Sequence, residues 1–191
     1  NEKQISESLI LGGMLAITGG FLDAYTYISR GGVFANAQTG NIVLLGVNLF
    51  KWNLSAASKY FLPIFAFFAG IITAEIIKSI FKFKDGIHWR QIIVAIEIVI
   101  LTCTAFMPHN LDSLVNILVS YVCALQVESF RKVKGNAFAT TMCTGNLRSA
   151  SENLYKFFTE KNKNNFKKFI HYITVIFLFI IGAGAGAILT E

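Results

Sequence analysis

The sequence predicts an all-α membrane protein: a polytopic helical bundle built from two internal repeats. Three observations predict it. More than half of its 191 residues are hydrophobic and only 15% are charged. The apolar residues come in long continuous blocks, matching the roughly 20 residues that a helical span requires. The basic residues fall in short clusters between those blocks, as in the cytoplasmic loops of membrane proteins. Unpaired backbone groups in lipid cost several kcal/mol each, so only helices or a closed barrel can cross. The blocks do not alternate, which selects helix. No polar stretch is long enough for a separate soluble domain, so residues 1–191 read as one integral membrane domain.

The first block runs from about Leu9 to Ile28 and carries Asp23 among Gly12, Gly13, Gly19 and Gly20. A stretch from Gly31 to Gln38 follows, then Thr39-Gly40-Asn41 and an apolar run, Ile42 to Phe50, too short to span alone. Tyr60 to Ile80 is the next span, with Pro63 expected in its first turn. A basic loop with Lys78, Lys82, Lys84 and Arg90 leads to Ile92–Met107, where Glu97 sits early enough to reach the interface by snorkelling. After the turn Pro108-His109-Asn110 comes Leu111–Phe130 with Gln126 and Glu128, then the basic run Arg131 to Lys134. Thr144-Gly145-Asn146 opens an amphipathic run to Phe158. A Lys/Asn-rich stretch, Thr159 to Lys168, reads as a solvated mobile loop before the last span, Phe169 to Leu189. That gives five good spans and two short segments.

The short segments point to a duplication. A shift of 105 positions superposes Thr39-Gly40-Asn41 on Thr144-Gly145-Asn146, Asn48-Leu49 on Asn153-Leu154 and Asp23 on Glu128. A further shift of seven superposes Phe65-x-Phe67-x-x-Gly70 on Phe177-x-Phe179-x-x-Gly182. Repeat 1 covers about 9–80, a connecting span about 91–107, and repeat 2 about 111–189. If each Thr-Gly-Asn segment crosses fully, the repeats are parallel; if each is re-entrant, they are inverted. Lys156, Lys161, Lys163, Lys167 and Lys168 stay on the same side as the other basic loops only in the second case, so the charge distribution favours inverted repeats.

The run Gly20 to Ala24, with Gly31-Gly32-Val33-Phe34, Asn36 and Thr39 to Gly46, resembles the YoaK-type family of bacterial membrane proteins, catalogued as a domain of unknown function. The resemblance implies a multi-pass protein of the bacterial inner (cytoplasmic) membrane. It brings no established activity and no catalytic residues.

The expected function is a transporter or channel for a small solute or ion, with proton or cation coupling as one expected form, and with its pathway at the repeat interface. Asp23 and Glu128 are costly in a span and are expected to face protein, water or a cation; the competing reading places them near span ends or capping backbone. Thr39 and Thr144 are expected to cap two half-helices, Gly40 and Gly145 to allow close approach, and Asn41 and Asn146 to supply amide groups. Half-helix starts at membrane depth build sites in several transporters. Asn36 and Gln126 complete the candidate pathway. The alternative function is a non-transporting membrane protein that binds a lipid or partner protein.

Other classes find little support. HExxH, GxSxG and Ser/His/Asp patterns are missing, so an enzyme is not expected. Cys103, Cys123, Cys143 and the three histidines lack metal-ligand spacing, so neither a metal nor a cofactor is expected, and Cys103 and Cys123 read as packing residues. The net charge of +6 belongs to loops, and nucleic acid is not an expected partner. The expected partners are the lipid bilayer, a small-molecule or ion substrate and, from the small size alone, a second copy of the chain. The run Gly182 to Ala187 is read as a close-packing face.

Overall fold

The computed structural model describes residues 9–83, 86–130, 132–133, 136–137 and 143–190. Seven α-helices follow in order: α1 Leu9–Ser29, α2 Gln38–Phe50, α3 Leu54–Phe81, α4 Trp89–Ala105, α5 Asp112–Ser129, α6 Cys143–Glu160 and α7 Lys163–Thr190. Among the described residues the extended pairing is confined to Lys132–Val133 against Asn136–Ala137, between α5 and α6. Lys84, Arg131 and Lys134 of the basic loops lie outside the described residues.

Three described helices are long and apolar enough to cross a membrane: α3, α7, and α5 together with the 3-10 turn His109–Leu111 that precedes it. At 28 residues each, α3 and α7 reach about 42 Å. By contrast α2, with 13 residues, reaches about 20 Å, short of the roughly 30 Å hydrocarbon core.

Two boundaries differ from the sequence expectation, and caps explain both. The Asn53 side chain accepts from the Ala56 N–H and starts α3 at Leu54, so Pro63 is buried inside the helix instead of in its first turn. The stretch Thr159 to Lys168 is mostly helical, not a solvated loop. Lys161 takes a left-handed φ of 51°, the Asn162 side chain accepts from the Asn164 N–H at 2.9 Å, and the Asn165 amide donates to Glu160 at 3.0 Å. These bonds fold the chain back within residues 161–162 and set the Phe157 ring 4.9 Å from that of Phe166.

The contacts fix the directions of α1, α3, α4, α5 and α7. Along α1 and α7 they climb together: Gly13 meets Leu178, Gly20 meets Phe179 and Ala183, Phe21 meets Gly186, and the Ser29 hydroxyl donates to the Thr190 carbonyl. Thus α1 and α7 are parallel. So are α3 and α5, where Gly70 meets Tyr121 and Ala124 and Lys78 lies near Glu128. Between α1 and α5 the order reverses. Arg30 bonds Asp112, and Leu22 packs with Val115, Val119 and Cys123. Arg90 donates to the Ser129 carbonyl while Leu101 packs near Val115, so α4 also opposes α5. Consequently α1, α4 and α7 run one way, and α3 and α5 the other. One end of the bundle carries Arg30, Lys51 and Lys59; the opposite end carries Lys78, Lys82, Arg90, Lys156, Lys163, Lys167 and Lys168.

Packing relies on backbone approach, as expected where hydrophobic drive between helices is weak. A Cβ on Gly20 would strike the Phe179 carbonyl, and one on Gly182 the Ile17 carbonyl. On Gly70 it would lie 2.6 Å from the Tyr121 carbonyl. Gly184, in the same small-residue run, touches nothing. Phenylalanines 61, 65, 68, 83 and 177 point outward.

Candidate functional site

The site begins where α1 ends. Gly31 and Gly32 take φ values of 86° and 79°, a region open to glycine, and reverse the chain. The returning stretch then lies against α1. The Asp23 carboxylate accepts from the Asn36 N–H at 2.7 Å and the Ala37 N–H at 3.5 Å. The Asn36 amide donates to the Gly19 carbonyl at 3.3 Å. Gly19 lies ten residues before the end of α1, roughly 15 Å along its axis. Helix α2 starts at this depth and runs back toward the end that α1 reached.

Thr39 does not cap α2. The cap position is Ala37, which makes no side-chain bond, and Thr39 sits exposed in the first turn. Asn41 organises the start from inside the helix. Its Oδ1 accepts from the Phe34 N–H at 3.0 Å, and its Nδ2 donates to the Phe34 carbonyl at 2.7 Å and to Gln38 Oε1 at 2.9 Å. Phe34, so held, stacks on Tyr27 at 4.6 Å. A Cβ on Gly40 would come within 2.9 Å of the Phe34 ring, so glycine is needed there for space.

The second start is Cys143, with Thr144 as the second helical residue, Gly145 open and Asn146 buried. Residues 138–142, which precede it, lie outside the described residues. Ala150, two turns along α6, packs with Ala16, Tyr172 and Val175.

Both starts open on one cavity of about 720 Å³. Gln38 and Thr39 line it from α2, and Cys143, Thr144 and Gly145 from α6. Asp23 and Asn36 form its polar wall; Phe67 and Phe179 form part of its apolar wall. Gln38, Thr39 and Phe67 from the first part of the chain and Cys143, Thr144 and Phe179 from the second thus line one space. Helix starts contribute partial positive charge, although at α2 the Gln38 and Gly40 N–H groups are taken up by the Asn36 and Ala37 carbonyls.

Not every expected residue reaches the cavity. Gly40, Asn41 and Asn146 stand behind it as supports. Gln126 is buried in α5. Glu128 lies 3.8 Å from Lys78, away from the cavity lining, so Asp23 and Glu128 have different surroundings. Asp23 does not pair with Arg30, the nearest arginine along α1, which bonds Asp112 at 2.9 Å instead. Burial works against the Arg30 charge, but Asp112 and Tyr25 offset it and hold the guanidinium above its ordinary range.

Two other expectations need correction. Glu97 does not snorkel; it is buried in the middle of α4. Cys103 is exposed and does not pack, whereas Cys123 is buried. Phe67, Phe179 and Cys143 line the cavity although they were not singled out as site residues. The Phe-x-Phe-x-x-Gly repeat was the available signal for the first two.

A family model described as "Protein of unknown function (DUF1275)" matches residues 11–191. The chain is similar to the UPF0700 transmembrane protein YoaK of Bacillus subtilis (strain 168), with 28% identity over 182 residues, covering 89% of this chain and 78% of the relative. No solved structure matches.

Proposed function

The chain belongs to the DUF1275 family of unknown function, and from that premise we propose that this membrane protein is a non-enzymatic transporter or channel for a small solute, of the bacterial inner membrane. The observation that carries the reading is the meeting of two helix starts, one from each half, at a single cavity beside Asp23. In this reading α1, α3, α4, α5 and α7 cross the bilayer, while α2 and α6 are re-entrant half-helices. The halves are inverted repeats: α1, α2 and α3 correspond to α5, α6 and α7, with α4 between them.

Several features support the inversion. The equated helices α1 and α5 run in opposite directions. Asn48 donates to the Leu44 carbonyl at 2.7 Å, and its repeat mate Asn153 donates to the Ser149 carbonyl at 2.8 Å, four positions back in each case. The end rich in lysine is then cytoplasmic.

The cavity chemistry suits a solute with an apolar body and one hydrogen-bonding end. Aromatic and alanine side chains dominate the wall, and Gln38, Thr39 and Thr144 offer polar contacts. The test is thermal stability of the reconstituted protein against a panel of ions and metabolites, repeated with Thr39→Val, Thr144→Val and Asp23→Asn. A ligand-induced shift that these changes abolish supports the site. If no ligand shifts the wild type, the pathway reading fails. The apolar wall also favours a second reading, a lipid acyl chain held in the cavity without transport. A shift produced by lipids alone, with no solute flux in vesicles, would select it.

A further inference from the structure

Glu97 presents a carboxyl group that the cavity reading does not use. It is 7% exposed, and its Oε1 has no hydrogen-bond partner. The apolar positions on the same face of α4 are packed: Ile93 with Ala74 and Leu125, and Leu101 against Val115, Val119 and Cys123. Among the described residues the nearby cations are engaged elsewhere. Lys78 of α3 bonds Glu75 at 2.6 Å and lies near Glu128 of α5; Arg90 of α4 bonds the Ser129 carbonyl; Arg30 bonds Asp112. An ionised carboxylate there would have no donor at Oε1 and no counter-ion among the described residues, a costly arrangement that holding a proton relieves.

A second, independent feature lies beside it. Cys123 of α5 is fully buried and packs with Leu22 and Ala35, the chain neighbours of Asp23 and Asn36, and with Leu101, one turn from Glu97. Asn36 Oδ1, Ser120 Oγ and Asn116 Oδ1 also lack hydrogen-bond partners. Ser120 and Asn116 stand one and two turns from Cys123 on α5. Buried polar atoms left unsatisfied among the described residues need an explanation, and they offer stations for water and protons.

We propose that Glu97 is a proton-binding site at membrane depth, joined to the cavity by the Ser120–Asn36–Asp23 polar file. The proton leaves the Glu97 carboxyl and is taken up by the Asp23 carboxylate or by water in the cavity, so charge is conserved at each transfer. The coupling rests on the transport reading; the protonation of Glu97 does not.

Infrared spectroscopy of the reconstituted protein tests the protonation. A protonated-carboxyl C=O band is expected at neutral pH in the wild type, in Asp23→Asn and in Glu128→Gln, and it should be lost in Glu97→Gln. Glu97→Gln should unfold at no lower temperature than the wild type, and Glu97→Asp should keep the band at a shifted frequency. A band that survives unchanged in Glu97→Gln overturns the proposal. Vesicles loaded with a pH-indicator dye test the coupling under an imposed pH gradient with potassium and valinomycin. Proton influx should fall at least tenfold in Glu97→Gln. Equal influx in both proteins overturns the coupling. Tight wild-type vesicles with the band present would sink the transport reading and leave the proton site standing.

Discussion

At the residue scale, Asp23 acts first as an acceptor for backbone. It holds the Asn36 and Ala37 N–H groups at the depth where α2 starts. Asp23→Leu should therefore destabilise the folded protein by about 2 kcal/mol, since buried donors left unpaired cost about 1–3 kcal/mol. Asp23→Asn keeps an oxygen in place and should cost less, by denaturant titration in detergent micelles. The glycines of the two triplets should also differ. Gly40→Ala forces the Phe34 ring to shift, whereas Gly145→Ala meets open space. Only the first should lower the unfolding temperature. Asp23 was legible in the sequence because an acid stands out in an apolar block. Glu97 was misplaced because hydropathy starts its span at Ile92, while His88 and Gln91 form a capping box that starts the helix at Trp89. The threonines were misread as caps because the bonds that organise the start of α2 come from Asp23 and Asn41, and a local pattern does not reveal such partners.

At the element scale, the small-residue run of α7 contains both essential and idle positions. Gly182→Leu should destabilise by roughly 3 kcal/mol or more, the upper range for overpacking, because its side chain would strike the Ile17 carbonyl; Gly184→Leu should be neutral. Thermal unfolding of the two variants in micelles checks the contrast. The re-entrant reading of α6 makes its own prediction. A cysteine at position 163 should resist membrane-impermeant maleimide added to intact cells, while one at position 51 should react. Labelling at 163 from outside would show that α6 crosses. The long helices α3 and α7 were readable from block length alone. The tight turn at residues 161–162 was not, because lysine and asparagine runs look alike in a solvated loop and in a capped helix start.

At the scale of the whole molecule, the two Thr-Gly-Asn segments legible in the sequence both reach the cavity lining, but how the helices join was not legible. That arrangement depends on backbone contacts at Gly20, Gly70 and Gly182, whose partners are distant in the chain. Helix α3 packs on α5, and α7 on α1, so residues 1–86 and 87–191 are interleaved. Neither half is a closed unit. Fragments 1–86 and 87–191 should each be unstable when expressed alone and should assemble when expressed together, as judged by co-purification and protease resistance.

The pairing of α1 with α7 has a consequence for how the protein is made. Helix α1 settles against a helix synthesised well after it, so in the transport reading it waits in the bilayer, its glycine face unmatched, until α7 emerges. The costly carboxylate of Asp23 spends that interval beside lipid or the insertion machinery. Biogenesis factors that shelter polar helices should accordingly matter most for the first helix of this chain, and a delay in translation before α7 should favour its degradation.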